Sequence, residues 1–485
     1  MVDNSNAYPD IDDSLSGSSL DANKSLFGKY TTEFDNEIIY IDSSDWRDSN
    51  FLKFQIISGY LVFILFGLAE QTVGTLIPKF QEHYKINDIQ ASFVFLASVA
   101  GYFIMAFLSD LSHTNLGVKG VLVMGTVSMT FAYLGISNYP PFAAVVFLYI
   151  FHGVGLGSID ASLGMWMGKL VDSNEVLGIL HGCYGIGCMI SPTLITSLLE
   201  RKTHPWAWPQ YYLVLSCLGA GCVILMIVAF KNETPKKYRY TSMTSSKSTS
   251  EVELEDLSGD NGSGSTSSSP PVDDDSLEHS SASFGEVVRS LQIWLFALFL
   301  FTYVGNEVAF GSWSISFLTR VKSLSYEESS HLTSTFWAGL TAGRIILGFV
   351  TLRVFNTELT ANFAYTILTF LGYFSFWLMS LGSNTSLLYP VAFFTGCFVG
   401  PIFPTTIISS LKTLPAKYHT AGIGFICAFG GGGGAVIPFL IGLVAESPLG
   451  LDLFPVIISM IAGLNSFMWV VLIKKYGSNY SANKL

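Results

Sequence analysis

The chain is short of charge. Of its 485 residues 13% are Asp, Glu, Lys or Arg, where an average soluble protein has about 25%. Half of the residues are apolar, and a soluble protein of this length would need more ionised groups than these to cover its surface. Six cysteines all lie inside apolar stretches, none with CxxC spacing, so neither a disulfide framework nor a zinc site is expected. No Lys/Arg stripe points to nucleic acid, and no GxxxxGK[ST] loop points to nucleotide phosphates. No nucleophile–base pair or metal-ligand cluster stands out, so an enzyme is the weakest reading and no cofactor or metal is expected. The N-terminus is acidic and rich in Ser, Asn and Asp, the opposite of a basic leader, so no cleavable signal is expected.

The net charge of −11 is unevenly spread. Residues up to Phe54 hold 11 acidic and 4 basic side chains, and residues 232–288 again hold 11 and 4. The apolar remainder is slightly basic. Apolar segments of about 20 residues, the length that crosses a bilayer, recur at 55–78, 91–109, 118–138, 142–168, 175–199, 209–231, 289–312, 328–352, 361–382, 386–411, 419–445 and 451–473. Lipid offers the backbone no partner, so each is expected to be a helix. The fold class is therefore all-α and membrane-spanning. Residues 55–231 and 289–474 form two six-helix bundles, between a disordered acidic tail at 1–54, a disordered Ser-rich linker at 232–288 and a short tail at 475–485. The linker is also a candidate phosphorylation target. With both termini in the cytosol, 19 of the 25 Lys and Arg fall on the inner side, as the positive-inside tendency requires.

The two bundles repeat each other. Gly178, Gly185, Gly187 and Pro192 in the fifth segment recur as Gly424, Gly431, Gly433 and Pro438 in the eleventh, at identical offsets. Glu70 precedes Gly74 by four residues, as Glu307 precedes Gly311; Gly153 and Gly157 match Gly396 and Gly400. Two parallel repeats with solute sites between them are a transporter pattern. Glycine runs such as Phe429–Ala435 allow close helix approach, and Pro192, Pro401, Pro404 and Pro438 weaken the hydrogen-bond ladder where halves must rock.

Ionisable groups inside lipid are costly and default to function. Glu70, Asp160, Glu307 and Arg344 are the candidates, whereas Glu446 is read as a solvated end residue. His152 and His181 could relay protons or bind solute, or simply bridge packed helices; the setting of His181 beside the repeated glycines favours it. Among the aromatics, Tyr184, Trp166, Phe310, Trp313 and Trp337 lie near these positions, and Trp313 is the one favoured for stacking on a sugar face.

These residues resemble the major facilitator superfamily, and within it the fucose-permease-like branch. The likeness lies in Gly101, Asp110, Gly117 and Lys119, in Gly343-Arg344 with Gly348, in Gly155–Ala161, in Tyr303–Glu307 with Gly311–Trp313, and in Gly400–Thr405. Leu111 stands where the superfamily signature has a basic residue, Gly164 where the branch often has Asn, and Gly74, one turn from Glu70, where its first-helix carboxylate falls. The Ser-rich tail and loop look like those of a fungal member.

The resemblance implies twelve helices, a cavity between the halves and alternating access. It implies Asp160 as the proton-coupling carboxylate; the residues themselves add Glu70 as its partner, with Glu307, Trp313, His181, Tyr184 and Asn306 expected around the solute. Asp110 and Arg344 would gate the cytosolic side. The expected activity is proton-coupled symport of a sugar-like solute. The alternatives are export or exchange of an organic-acid or lipid-like solute, and a nutrient sensor that transports nothing. The expected partners are a small solute, protons and the bilayer; the expected state is a monomer in the plasma membrane, vacuole or Golgi. Asn384-Thr385-Ser386 is a glycosylation sequon on the expected outer side.

Overall fold

A computed structural model describes residues 30–244 apart from 36, and residues 284–480 apart from 416 and 417. The helices are α1 (Asn50–Tyr84), α2 (Asp88–Ile136), α3 (Phe142–Met167), α4 (Ser173–Leu199), α5 (Trp208–Ala229), α6 (235–244), α7 (Phe284–Arg289), α8 (Leu291–Arg320) and α9 (Tyr326–Ala342). They continue with α10 (Gly348–Val354), α11 (Glu358–Ser380), α12 (Leu388–Val399), α13 (Ile402–Thr413), α14 (His419–Glu446) and α15 (Phe454–Tyr476).

These make twelve passes. The 49-residue α2 holds two of them, broken at Gly117, whose φ of +69° a side chain would disfavour. The eighth pass is α9 and α10 joined by a π turn at Gly343–Leu347, and the tenth is α12 and α13 joined across Gly400-Pro401. An even number of passes puts both described ends on one face, here the terminal face; the opposite one is the far face.

The glycine repeat is a repeat of contacts. A Cβ on Gly187 of α4 would strike the backbone of α1 at Ile64, and a Cβ on Gly433 of α14 would strike the backbone of α8 at Phe301. Gly153 sits on the Ser98 carbonyl and Gly396 on the Phe336 carbonyl in the same corresponding way. Between halves, Gly185 lies against Thr341 of α9 and Gly431 against Tyr102 of α2. The sequence repeat thus fixes which helices touch within each half and which touch across the seam between halves.

The segments expected as irregular differ in their described parts. Strands β1 (Tyr30–Phe34) and β2 (Glu37–Ile41) pair antiparallel, because β-branched and aromatic residues alternate there despite the acidity. Phe34 meets the Tyr240 ring at 5.6 Å, and Lys236 pairs with Glu37 at 3.1 Å, so this hairpin clasps α6. Arg47 pairs with Asp172 between α3 and α4. The linker therefore starts and ends in helices, α6 and α7, while residues 245–283 lie outside the described residues. At the other end Tyr480 donates to Glu358, which also takes Lys412 at 2.8 Å.

Valine at Gly187 or Gly433 should lower the unfolding temperature in detergent by roughly 5 °C or more through overpacking. Alanine at Gly178 or Gly424, where a Cβ meets nothing within 4 Å, should leave it unchanged.

Candidate functional site

A carboxylate in the middle of a membrane helix needs a partner on another helix. Glu70 of α1 finds His152 of α3, with Nε2 3.7 Å from the carboxylate. The Nδ1 of His152 lies 2.8 Å from the Tyr133 hydroxyl of α2, and the hydroxyls of Tyr149 and Tyr212 meet at 2.6 Å beside them. His152 is buried to 1% exposure while Glu70 keeps 21% of its side chain accessible. The result is a carboxylate–imidazole–phenol chain running from the core of the first half to the seam. His152, not His181, is thus the histidine joined to an acid.

The second half holds its own pair. Arg344, inside the π turn, donates to Glu307 of α8 at 2.9 Å, with 9% and 4% of the two side chains exposed. It also reaches the His181 carbonyl across the seam at 3.4 Å and lies over the Tyr184 ring at 5.8 Å. A π turn inserts one residue into the helix, often at functional positions, and here it turns the guanidinium inward. Arg344 therefore sits deep between the halves rather than at a loop. The His181 ring packs between Phe63 and Phe403, each centroid at 5.8 Å.

Asp160 lies eight residues beyond His152, about 12 Å along α3 toward the terminal face. It is half-buried and accepts from the Tyr102 hydroxyl at 2.9 Å. Trp313 and Asn306 turn into the second half instead: the Trp313 indole donates to the Pro438 carbonyl and the Asn306 amide to the Ile458 carbonyl. Asp110 and Asn384 are exposed.

Sequence reasoning passed over Gln71. This side chain is fully buried next to Glu70, and neither its amide nitrogen nor its oxygen has a protein partner; the Trp337 indole N–H is unpartnered too. Both face Gly311 of α8, where a Cβ would come within 2.7 Å of the Gln71 nitrogen and 2.8 Å of the Trp337 ring. The missing side chain at Gly311 was the available signal. Tyr184 adds its ring 6.0 Å from that of Trp337.

Most polar contacts between the halves are on the far face. Arg320 forks onto Asp88 at 2.7 and 2.9 Å and donates to Gln81 at 2.8 Å; the Asp88 N–H donates to Glu446 at 3.1 Å. Glu446 is thus a partner at the N-terminus of α2, where a helix favours negative charge, not a merely solvated end. Tyr326 donates to the Thr75 carbonyl, and Thr193 and Thr196 meet Ser334 and Ser330. Away from this face, Arg344 reaches the His181 carbonyl across the seam. The halves are therefore closed at the far face.

This architecture matches known proteins. The family described as Major Facilitator Superfamily matches residues 59–438. The chain belongs to the major facilitator superfamily. It is a multi-pass membrane transporter, not an enzyme. Among members of the superfamily it is similar to the Saccharomyces cerevisiae "Bypass of stop codon protein 6", 34% identical over 430 residues, 87% of this chain and 82% of that protein. It is similar to the "Glucose/mannose transporter GlcP" of Bacillus subtilis, 23% identical over 79% of this chain and 86% of that one. The fold is also that of the E. coli fucose:proton symporter FucP, with a TM-score of 0.56, 14% identity, and 86% and 98% of the two chains covered. A bacterial Spinster homolog solved inward-facing and unoccupied gives 0.61 at 10% identity, over 90% and 99%.

Asp88→Asn should loosen the far-face seal, because Arg320 is exposed and its charge-assisted hydrogen bonds to the buried Asp88 are each worth about 1.5–3 kcal/mol at most. Spin labels at Glu82→Cys and Glu327→Cys, both exposed positions, should then show a longer distance population absent from the parent protein.

Proposed function

We propose that this transporter is a proton-coupled symporter of a hexose-like solute, working by alternating access between two membrane faces. The observation that carries the reading is the Glu70–His152–Tyr133 chain, which ends one residue from the unpartnered Gln71 at the seam. A solute that entered between α1, α8 and α9 would give Gln71 and Trp337 the hydrogen-bonding partners they lack. Sugar hydroxyls suit them, being both donors and acceptors, and the Tyr184 and Trp337 rings offer apolar faces for the sugar ring. The transporters named for glucose, mannose and galactose among the similar chains support that class of solute.

Asp160 and Glu70 carry the proton in this reading. Asp160 is half-buried near the terminal face and holds one phenolic donor, and in this reading it exchanges a proton there while the far face is sealed. Glu70 is the seam-side acceptor, and its carboxylate faces the His152 imidazole. Neutralising either one as solute binds lowers the cost of moving it through lipid during the rocking of the halves. Glu307 and Arg344 form an internally neutral counterpart in the second half. The charge distribution supports a cytosolic terminal face.

The test is proton movement in proteoliposomes challenged with hexoses, pentoses, polyols and organic acids. Hexose-driven alkalinisation of the outer medium, lost in Asp160→Asn, is the expected result; uptake that keeps its pH dependence in that variant would sink the proton assignment. Gln71→Ala should raise the apparent KM about tenfold or more, the effect of one lost hydrogen bond to a buried group. Glycosidase treatment of protein made in a secretory host should shift its mobility through Asn384 and not in Asn384→Gln, as the outer placement of that sequon requires.

A further inference from the structure

Two corresponding glycines meet the opposite half through unlike side chains. Gly185 of α4 receives Thr341 of α9, and Gly431 of α14 receives Tyr102 of α2. Thr341 turns its hydroxyl back to the Trp337 carbonyl of its own helix, at 2.8 Å. Tyr102 carries its hydroxyl to another helix instead, donating to Asp160 of α3 at 2.9 Å. One of the two seam contacts is thus satisfied within its own helix, and the other is tied to an acid. Neither the hexose site nor the far-face seal uses this difference.

The surroundings of Tyr102 leave its hydroxyl as the group that can respond. Its backbone is held on α3: a Cβ on Gly153 would come 3.0 Å from the Tyr102 nitrogen, and one on Gly157 3.1 Å from its carbonyl oxygen. Asp160 follows Gly157 by three residues and so lies on the same side of α3. The ring rests on the glycine run of α14, where a Cβ on Gly431 would come within 3.0 Å of it. The next residue, Phe103, lies against Gly432 in the same way, at 2.9 Å. Asp160 has no ionic partner among the described residues, whereas Glu307, Asp88 and Glu358 pair with Arg344, Arg320 and Lys412. The titratable groups that face it are Tyr102 of α2 and Cys427 of α14, one turn before Gly431. With no fixed cation beside it, the carboxylate acts on its neighbours through the phenol.

We propose that Tyr102 is the positioning residue through which the protonation of Asp160 reaches the second half. A hydrogen bond to an ionised carboxylate is roughly twice as strong as one between neutral groups. While Asp160 is ionised, that bond keeps the ring on Gly431 and α2 against α14. A proton added to the carboxylate removes the charge that holds the hydroxyl and breaks no other covalent bond in the protein. The ring is then released from the glycine run, and the contact between α2 and α14 loosens. At the corresponding contact Thr341 has no acid to follow, so the seam responds to protons on one side only. The inference rests on the reading of Asp160 as a proton site, but not on Glu70, Gln71 or the identity of the solute.

The experiment reads the distance between α2 and α14 in the purified full chain without solute. Asn115, beside the Gly117 break, and Pro415, just before α14, are both exposed. Replacing these two by noncanonical residues that carry spin labels leaves the native cysteines in place. Between pH 8.5 and pH 5.5 the parent protein should redistribute between two distances. Tyr102→Phe keeps the ring and loses the donor, and Asp160→Asn loses the charge; both should hold the low-pH distribution throughout. Thr341→Val should respond to pH as the parent does, whereas general damage to the seam would silence it too. The proposal is overturned if Tyr102→Phe follows the parent, as a ring that only packs would. It is also overturned if Thr341→Val loses the response, or if the parent has none. When Tyr102→Phe follows the parent and Asp160→Asn does not, Asp160 stays the proton site and only the link through Tyr102 fails. When Asp160→Asn follows the parent as well, the proton site fails with it.

Discussion

Nothing in the hydrocarbon core of a bilayer can hydrogen-bond to a protein group that lacks a partner within the protein. That one condition organises the molecule. It makes every pass a helix, brings helices close enough at glycines for backbone to meet backbone, and forces each buried ionisable group to find a partner on another helix. Glu70 goes to His152 and Glu307 to Arg344, while Asp160 takes a phenol. Against that background the exceptions carry information. Gln71 and Trp337 at the seam, and Asn306, Thr369 and Tyr373 behind it, hold polar atoms with no protein partner where such atoms are most costly.

The two halves share a scaffold and differ in their ionic chemistry. Corresponding glycines make corresponding contacts, so the frame is nearly a copy. The first half places its carboxylate against a histidine, whose ring has a second nitrogen to hold the Tyr133 hydroxyl. The second half uses an arginine, which stays charged. The two repeats thus set their buried carboxylates in chemically different pairs, one against a ring and one against a guanidinium.

Much of this was legible in the sequence. Spans, halves and glycine contacts could be read because they depend on composition and spacing along one helix, which survive without knowing the fold. The Gly153–Gly157 and Gly396–Gly400 pairs marked matching positions before any coordinates, but not the carbonyls they rest on. Partner choice was not legible. Glu70 and His152 are 82 positions apart, on helices apolar nearly all round, so no amphipathic stripe indicates which face of either points inward. His181 looked better placed than His152 because its neighbours were glycines, yet its ring packs among phenylalanines. Trp313 was drawn away from the seam by a carbonyl of α14 that only the fold reveals. In the tail, acidity hid the alternation of Thr32 and Phe34 in β1 with Ile39 and Ile41 in β2.

The seal at Asp88 and Arg320 closes one face only. Its consequence is best put as a population. If the resting carrier lies closed at the far face, a solute arriving there finds a binding-competent fraction well below one, and its apparent affinity falls by that fraction. Each kcal/mol in favour of closure weakens it about fivefold. A stronger fork would make a carrier selective for concentrated supplies; a weaker one would scavenge at low concentration and leak more readily. The ends of α1, α2, α8 and α14, remote from any solute, thus set the concentration range in which the transporter is useful.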